Sequence, residues 1–239
     1  AQVCGQYIRE NYELRAAPCW ACRDGHVHDV RIQEGPYAGF EGEEPEYEGI
    51  AACGPQMGVT DPDGVIVLGN EIDWLGLDIN ETGWLIGWLM ECYEEGLVTR
   101  DDLDGVELHG GDVEAVREVL RLIAHRRGAG EWLAEGVMRA SARLGPDAQS
   151  RGVYTLKGAA PRTHDHRARW TELLDTVCTN TSTIEASFGA APDLPGLMPL
   201  RDPFSAQEVA RINADTAGYR QFEDCLGICR FCSAAPEAL

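Results

Sequence analysis

The stretch that decides the fold is WLIGWLMECYEE, residues 84–95, which follows closely on the hexapeptide DWLGLD, residues 73–78. The longer stretch carries apolar side chains at the i, i+3 and i+4 spacing of a buried helical face, namely Trp84, Leu85, Trp88, Leu89 and Cys92. Gly96 comes directly after it and is typical of a helix stop. The pattern predicts a helix packed in a core.

Other segments show the same period. Asp112 stands where it can cap a second helix, and the basic residues before Gly128 suit the last turn of that helix. Further helices are predicted from about 131 to 144 and over 170–178. The chain is therefore expected to be mainly α.

Two segments need separate treatment. Ser205 and Glu208 form a capping box that predicts a helix running to about Phe222. The run VIVL at 65–68 fits a strand or a helix equally well, because so short a run does not establish a period.

The turn-rich segment GPDAQSRG at 145–152 is the best candidate for a domain boundary. It divides the chain into a helical domain over 1–150 and the start of a second helical domain over 151–239. The first contains DWLGLD, and the second contains the related hexapeptide DCLGIC at 224–229.

Composition limits the class of protein. The chain has 239 residues, is 44% hydrophobic and carries a net charge of −20, which argues against nucleic acid as a partner. No apolar run reaches the ~20 residues of a membrane span. Nine cysteines in clusters favour metal or redox chemistry in a reducing compartment over a disulfide framework, so the cytoplasm is the expected location.

The segment CWAC, residues 19–22, places Cys19 and Cys22 at the spacing of two thiolate ligands of one metal centre, with His26 close behind. A fourth ligand would come from the C-terminal cysteines, which are Cys225, Cys229 and Cys232. Zinc suits the same set as a structural ion, and two neighbouring buried thiols without any metal are a further alternative.

The order of these motifs resembles the aldehyde ferredoxin oxidoreductase family. The segments that carry the resemblance are CWAC, EPEYEG at 44–49, NEIDWLGLD at 70–78, GWLMECYEEG, GAGEWLAEG at 128–136, LKG at 156–158 and DCLGICRF at 224–231. It implies two helical domains that enclose a tungsten or molybdenum bis-pterin and a [4Fe-4S] cluster, with magnesium as an additional ion. The N-terminal β domain of the family has no counterpart in this chain, so that domain or a partner chain is expected as a partner.

The resemblance also implies roles for single residues. Asp73 and Asp224 match the family's acceptors for pterin amino groups, and Cys229 matches the fourth cluster ligand. The remaining cofactor-binding positions are Gly76, Leu77, Asp78, Lys157, Gly227 and Ile228. Two ordinary helix-end turns, with glycine as terminator and aspartate as cap, are the simpler alternative for the two hexapeptides.

The sequence departs from the family at two chemical positions. His26 stands where the family has a third cluster cysteine, and it is expected to replace that thiolate, whereas the spacing of His28 is wrong for this role. Glu185 stands about where the family has its active-site histidine, while His164 and His166 are expected to be turn or supporting groups.

The candidate acid/base residue is Glu48, with Glu46 and Glu44 as neighbours in the same acidic segment. A buried carboxyl near a metal could carry a proton during oxidation or reduction of a carbonyl carbon. A merely solvated acidic loop is the alternative.

The function implied by the resemblance is oxidation of an aldehyde to a carboxylic acid, with electrons passing through the cluster to ferredoxin or an electron-transfer subunit. The family also includes the tungsten subunit of benzoyl-CoA reductases, so reduction of an aromatic acyl-CoA is one alternative. A non-catalytic helical protein with a structural zinc at Cys19, Cys22, His26 and Cys229 is the other.

Overall fold

The computed structural model describes residues 2–20, 22, 25–178, 200–216 and 225–227. The fold is mainly α, as predicted, with one small sheet. It forms two compact units, Ala1–Thr163 and His164–Leu239. The domain boundary expected near residue 150 stays a prediction. In the described part of the chain no helix is long and apolar enough to cross a membrane.

The first unit opens with helix α1 (Gly5–Asn11) and an antiparallel sheet, which the helical patterns did not predict. Its strands, in spatial order, are β1 (Glu13–Ala16), β2 (His28–Arg31) and β3 (Glu41–Glu43). A small apolar cluster joins α1 and the sheet to the helix Pro62–Trp74. Its buried members are Ile8, Val30, Ile32, Ile66 and Val67.

Three helices build the centre of this unit: α2 (Tyr47–Cys53), α3 (Pro62–Trp74) and α4 (Ile79–Glu94). VIVL at 65–68 lies inside α3 and is helical. Because α3 is buried over the whole run 64–72, it shows no polar face from which a helical period could be read. The predicted helix 84–95 is confirmed as the main part of α4, and Gly96 follows it with φ 72°.

The core lies between these helices and the next one, α5 (Val113–His125). Its largest fully buried side chains include Leu68, Ile72, Ile86, Leu89, Leu120 and Leu133. Burial of each contributes about 1.5–3 kcal/mol to folding. The predicted cap is confirmed, since Oδ1 of Asp112 accepts a hydrogen bond from the amide of Ala115 at 3.0 Å.

The single helix predicted over 131–144 is wrong. The structure has α6 (Gly130–Leu133), α7 (Gly136–Leu144) and the short α8 (Pro146–Gln149) instead. The break falls at Gly136, whose φ is +81°, and a carboxylate oxygen of Glu81 accepts a hydrogen bond from the next amide, Val137 N, at 2.7 Å. A residue distant in sequence therefore caps α7.

The second unit contains α9 (Trp170–Cys178) and α10 (Ala206–Thr216). The helix predicted over 170–178 is confirmed. The capping box at the start of α10 is half present: Oγ of Ser205 accepts from the amide of Glu208 at 3.4 Å, but the Glu208 carboxylate accepts from the upstream amides of Arg201 and Asp202. The predicted extension to Phe222 lies outside the described residues.

Candidate functional site

DWLGLD forms the turn between α3 and α4. The amide of Leu77 donates to the carbonyl of Ile72 at 3.0 Å, and Gly76 has φ +71°, which together close α3 in a Schellman-type end. Oδ1 of Asp78 then accepts from the amide of Glu81 at 2.7 Å and caps α4. A Cβ added at Gly76 would meet no atom within 4 Å, so the turn presents an open backbone face.

DCLGIC repeats part of this conformation in the second unit. Cys225 and Leu226 are helical, and Gly227 has φ +68° with open space where a Cβ would stand. Gly76 and Gly227 thus share one left-handed conformation with one open face. The other predicted residues of this hexapeptide, Asp224, Ile228 and Cys229, lie outside the described residues.

Asp73 lies at the end of α3 in an acidic cluster. Burial raises its pKa, and the charge of Glu46 raises it further. Burial likewise raises the pKa of Glu43, with the charges of Asp73 and Glu46 adding to the effect. No residue in the described part of the chain donates a hydrogen bond to the Asp73 carboxylate. The Asp73 carboxylate is thus a hydrogen-bond acceptor, and a donor placed beside it would relieve its charge repulsion with Glu43 and Glu46.

The three glutamates of EPEYEG have different partners. Glu44 accepts from Arg9 Nε at 2.8 Å and lies 3.0 Å from His28 Nδ1. Glu48 is ion-paired with Arg162, and its side chain is only 13% exposed. Glu46 is 55% exposed and lies 3.3 Å from His26 Nε2.

Cys19 and Cys22 share one tight turn, closed by a hydrogen bond of 3.0 Å from the amide of Cys22 to the carbonyl of Cys19. Cys19 is exposed and Cys22 is half-buried. The structure places His26 beside Glu46 and His28 beside Glu44. Within the described ranges no three His, Cys, Asp or Glu side chains converge on a possible metal position.

The LKG segment lies in a turn-rich loop over 155–163, in which Lys157 is exposed. The first two turns of α4 hold this loop at several points. Oε2 of Glu81 accepts from the amide of Ala160 at 2.6 Å, and Nε1 of Trp84 donates to the carbonyl of Pro161 at 2.8 Å. These contacts join residues more than 70 positions apart, so a local sequence pattern does not indicate Glu81 or Arg162 as site residues.

His164 and His166 belong to the second unit, where they surround Glu172. Nδ1 of His164 lies 2.5 Å and Nε2 of His166 lies 3.3 Å from Oε1 of this fully buried carboxylate. Burial alone would raise the pKa of Glu172, but the two histidines lower it to about 2. The supporting role expected for both histidines agrees with this pairing, while Glu185 lies outside the described residues.

Comparison with known proteins decides the family. The model of aldehyde ferredoxin oxidoreductase domains 2 and 3 matches residues 1–239, the whole chain. The chain belongs to the aldehyde ferredoxin oxidoreductase family. The family resemblance of the motifs is thereby confirmed.

Several named proteins are similar in sequence to this member of the aldehyde ferredoxin oxidoreductase family. An "aliphatic sulfonate oxidoreductase, WOR-like subunit" of Pyrococcus furiosus is 36% identical over 141 residues, 57% of this chain and 22% of the relative. A "tungsten-containing aldehyde ferredoxin oxidoreductase" of Thermococcus kodakarensis is 34% identical over 154 residues, 64% of this chain and 25% of the relative. The chain spans about a quarter of the length of these relatives.

A solved structure shares the fold of this family member. It is the active-site complex BamBC of benzoyl coenzyme A reductase with 1,5-dienoyl-CoA, with a TM-score of 0.59, 16% sequence identity, and coverage of 75% of this chain and 26% of that one. At this identity the likeness shows the fold alone, and it agrees with a mainly α architecture.

Proposed function

We propose that this chain forms part of the active site of a tungsten bis-pterin oxidoreductase that converts an aldehyde to a carboxylic acid. The observation that carries the proposal is the hexapeptide geometry: among the described residues none donates a hydrogen bond to the Asp73 carboxylate, the turn at Gly76 has an open face, and Gly227 repeats the glycine conformation. Tungsten is preferred to molybdenum because several relatives are named as tungsten-containing enzymes.

The residues fit a flat group with an amino-substituted edge. The Asp73 carboxylate only accepts hydrogen bonds, and amino donors would stabilise its charged form against the neighbouring Glu43 and Glu46. A backbone without a Cβ lets a ring system approach closely. When bound, the metal centre would supply the two-electron redox chemistry. Leu77 supports this turn from the core side, since it packs against the core cluster.

The partners of the glutamates favour Glu46 over Glu48 as the proton carrier. A carboxylate held by a guanidinium is stabilised in its charged form, which suits Glu48 to positioning. Glu46 is more exposed, and its neighbour is an imidazole nitrogen, Nε2 of His26, rather than a guanidinium. Glu185 stays a proposed catalytic residue through its position in the sequence.

For the iron-sulfur centre we propose Cys19, Cys22, His26 and Cys229 as ligands, with Lys157 near the pterin. Electrons would then pass through this cluster to ferredoxin or an electron-transfer subunit in the cytoplasm. Asp78 already caps α4, so it is engaged at the position where the second hexapeptide has Cys229. A β domain or a partner chain, with magnesium as an additional ion, would complete the cofactor site.

The experiment is metal and pterin analysis of the whole purified protein and of Asp73→Asn. Wild type should contain tungsten, iron and a fluorescent pterin after oxidation, and should oxidise small aldehydes. Asp73→Asn should lose most of the tungsten, whereas Asp101→Asn, at an exposed aspartate away from the motifs, should retain it. Zinc alone without pterin would overturn the proposal, and activity confined to an aromatic acyl-CoA would redirect it to the reductase alternative.

A further inference from the structure

Glu81 connects three segments of the first unit. Its amide is the one that Asp78 caps, at 2.7 Å. Its carboxylate accepts from two amides of different segments: Oε1 from Val137 at the start of α7, and Oε2 from Ala160 in the loop 155–163. Since both oxygens are engaged by backbone donors, this half-buried side chain fixes two segments against the first turn of α4.

Two further side chains near the start of α4 also contact the loop 155–163. Asn80 Oδ1 accepts from the amide of Thr163 at 3.2 Å, and Trp84 Nε1 donates to the carbonyl of Pro161 at 2.8 Å. The loop is thus bonded through three backbone groups, those of Ala160, Pro161 and Thr163, to the first two turns of α4. Between Pro161 and Thr163 lies Arg162, which pairs with Glu48.

The position of α7 is tied to the same carboxylate. A Cβ added at Gly136 would stand 2.7 Å from Oε1 of Glu81, and the φ of +81° at this residue also disfavours any side chain. The carboxylate lies at the positive end of the α7 dipole, which favours its charge there. The absence of a side chain at Gly136 therefore leaves room for the Glu81 carboxylate.

We propose that Glu81 is a positioning residue. Together with Asn80 and Trp84, it fixes the position of the loop 155–163 relative to the DWLGLD turn. The inference rests on the proposed function, in which the DWLGLD turn binds the cofactor. The contacts of Glu81 would then hold this turn and the Arg162–Glu48 pair in a fixed relative position. Loss of the Glu81 carboxylate should loosen the loop and lower cofactor retention, because both of its oxygens are engaged by backbone amides.

The test is hydrogen exchange of the backbone amides in the whole protein, which needs no activity. In Glu81→Ala the amides of Val137 and Ala160 should exchange at least about tenfold faster than in wild type, because each loses a charged acceptor. Glu81→Gln keeps one acceptor oxygen and should fall between the two. Glu118→Gln, at an exposed site on α5, is the matched control and should change neither amide.

The second readout is tungsten per protein and kcat per bound tungsten. We expect both to fall in Glu81→Ala and to recover partly in Glu81→Gln. A folded variant with lower thermal stability but wild-type tungsten content and kcat would show a merely structural role and overturn the inference.

Trp84→Phe keeps an aromatic side chain, although a smaller one, and removes the donor to Pro161, so this variant tests the inference if the Glu81 variants do not fold. Wild-type exchange and tungsten content in Trp84→Phe would also count against the inference. Absence of tungsten and pterin from wild type would instead refute the proposed function, while the exchange data would still report on the contacts of Glu81.

Discussion

Oε1 of Glu46 lies 3.3 Å from Nε2 of His26, whereas the Glu48 carboxylate two residues further on is held by Arg162. Within this acidic segment Glu46 therefore faces an imidazole and Glu48 faces a guanidinium, whereas Glu44 contacts one of each, His28 and Arg9. For this reason Glu46 is the proposed proton carrier and Glu48 is the proposed positioning residue.

Glu46→Gln should lower kcat for aldehyde oxidation by about 10²-fold or more without loss of tungsten, because a general acid/base contributes that much. Glu48→Gln has the same shape and change of charge, and should lower kcat less. Steady-state kinetics per bound tungsten across pH would measure both. If only Glu48→Gln impaired turnover, Glu48 would be the proton carrier, as first expected from the sequence.

Gly76→Ala should lose cofactor out of proportion to its loss of stability. A left-handed alanine costs about 1–2 kcal/mol, and the new methyl would occupy the open face. Gly96→Ala is the matched control, because Gly96 has φ +72° and equal open space but follows the other end of α4. Thermal unfolding should shift similarly in both variants, and only Gly76→Ala should lack tungsten. Equal tungsten in the two would remove Gly76 from the binding face.

The buried carboxylate of Glu172 should make the chain sensitive to acid. Its pKa is lowered to about 2, so the stabilisation is fully present above the unfolded value of about 4.3 and is lost as pH falls from there toward 2. The loss is on the order of 3 kcal/mol.

Glu172→Gln should abolish most of this acid dependence in urea unfolding at pH 7 and pH 3. Asp165 provides the control, since its pKa is also lowered to about 2, by Arg167, but its side chain is 55% exposed. Asp165→Asn should leave the pH dependence nearly unchanged because exposed ion pairs are screened. An equal effect of both substitutions would contradict the role of burial.

Cys229→Ala should abolish the visible absorption of the iron-sulfur cluster and its EPR signal after reduction. Cys225, an exposed neighbour in the same hexapeptide, is the control, and Cys225→Ala should keep both signals. Spectra of Cys229→Ala that match wild type would rule out this ligand.

His26→Cys should lower the reduction potential of the cluster by on the order of 100 mV, because an anionic thiolate replaces a neutral imidazole. Redox titration of the reduced-cluster EPR signal would measure the shift. An unchanged potential would mean that His26 serves Glu46 alone and binds no iron.

Much of the helical framework could be predicted from local sequence. Local features, which depend only on residues close in sequence, are visible in the sequence pattern. They include the apolar spacing of 84–95, the cap at Asp112 and the glycines Gly76 and Gly227 of the two hexapeptides. The small sheet was missed because its strands have three or four residues each, too few for an alternating pattern to stand out.

Tertiary structure alone decided the partners of the charged groups. The sequence shows Glu44, Glu46 and Glu48 as equivalent, and only folding brings Arg9, Arg162 and His26 to different members of the set. The break before α7 has the same origin, since its cap is Glu81 from another helix. Helical periods and caps depend on neighbours along the chain, whereas ion pairs and remote caps depend on distances that exist only after packing.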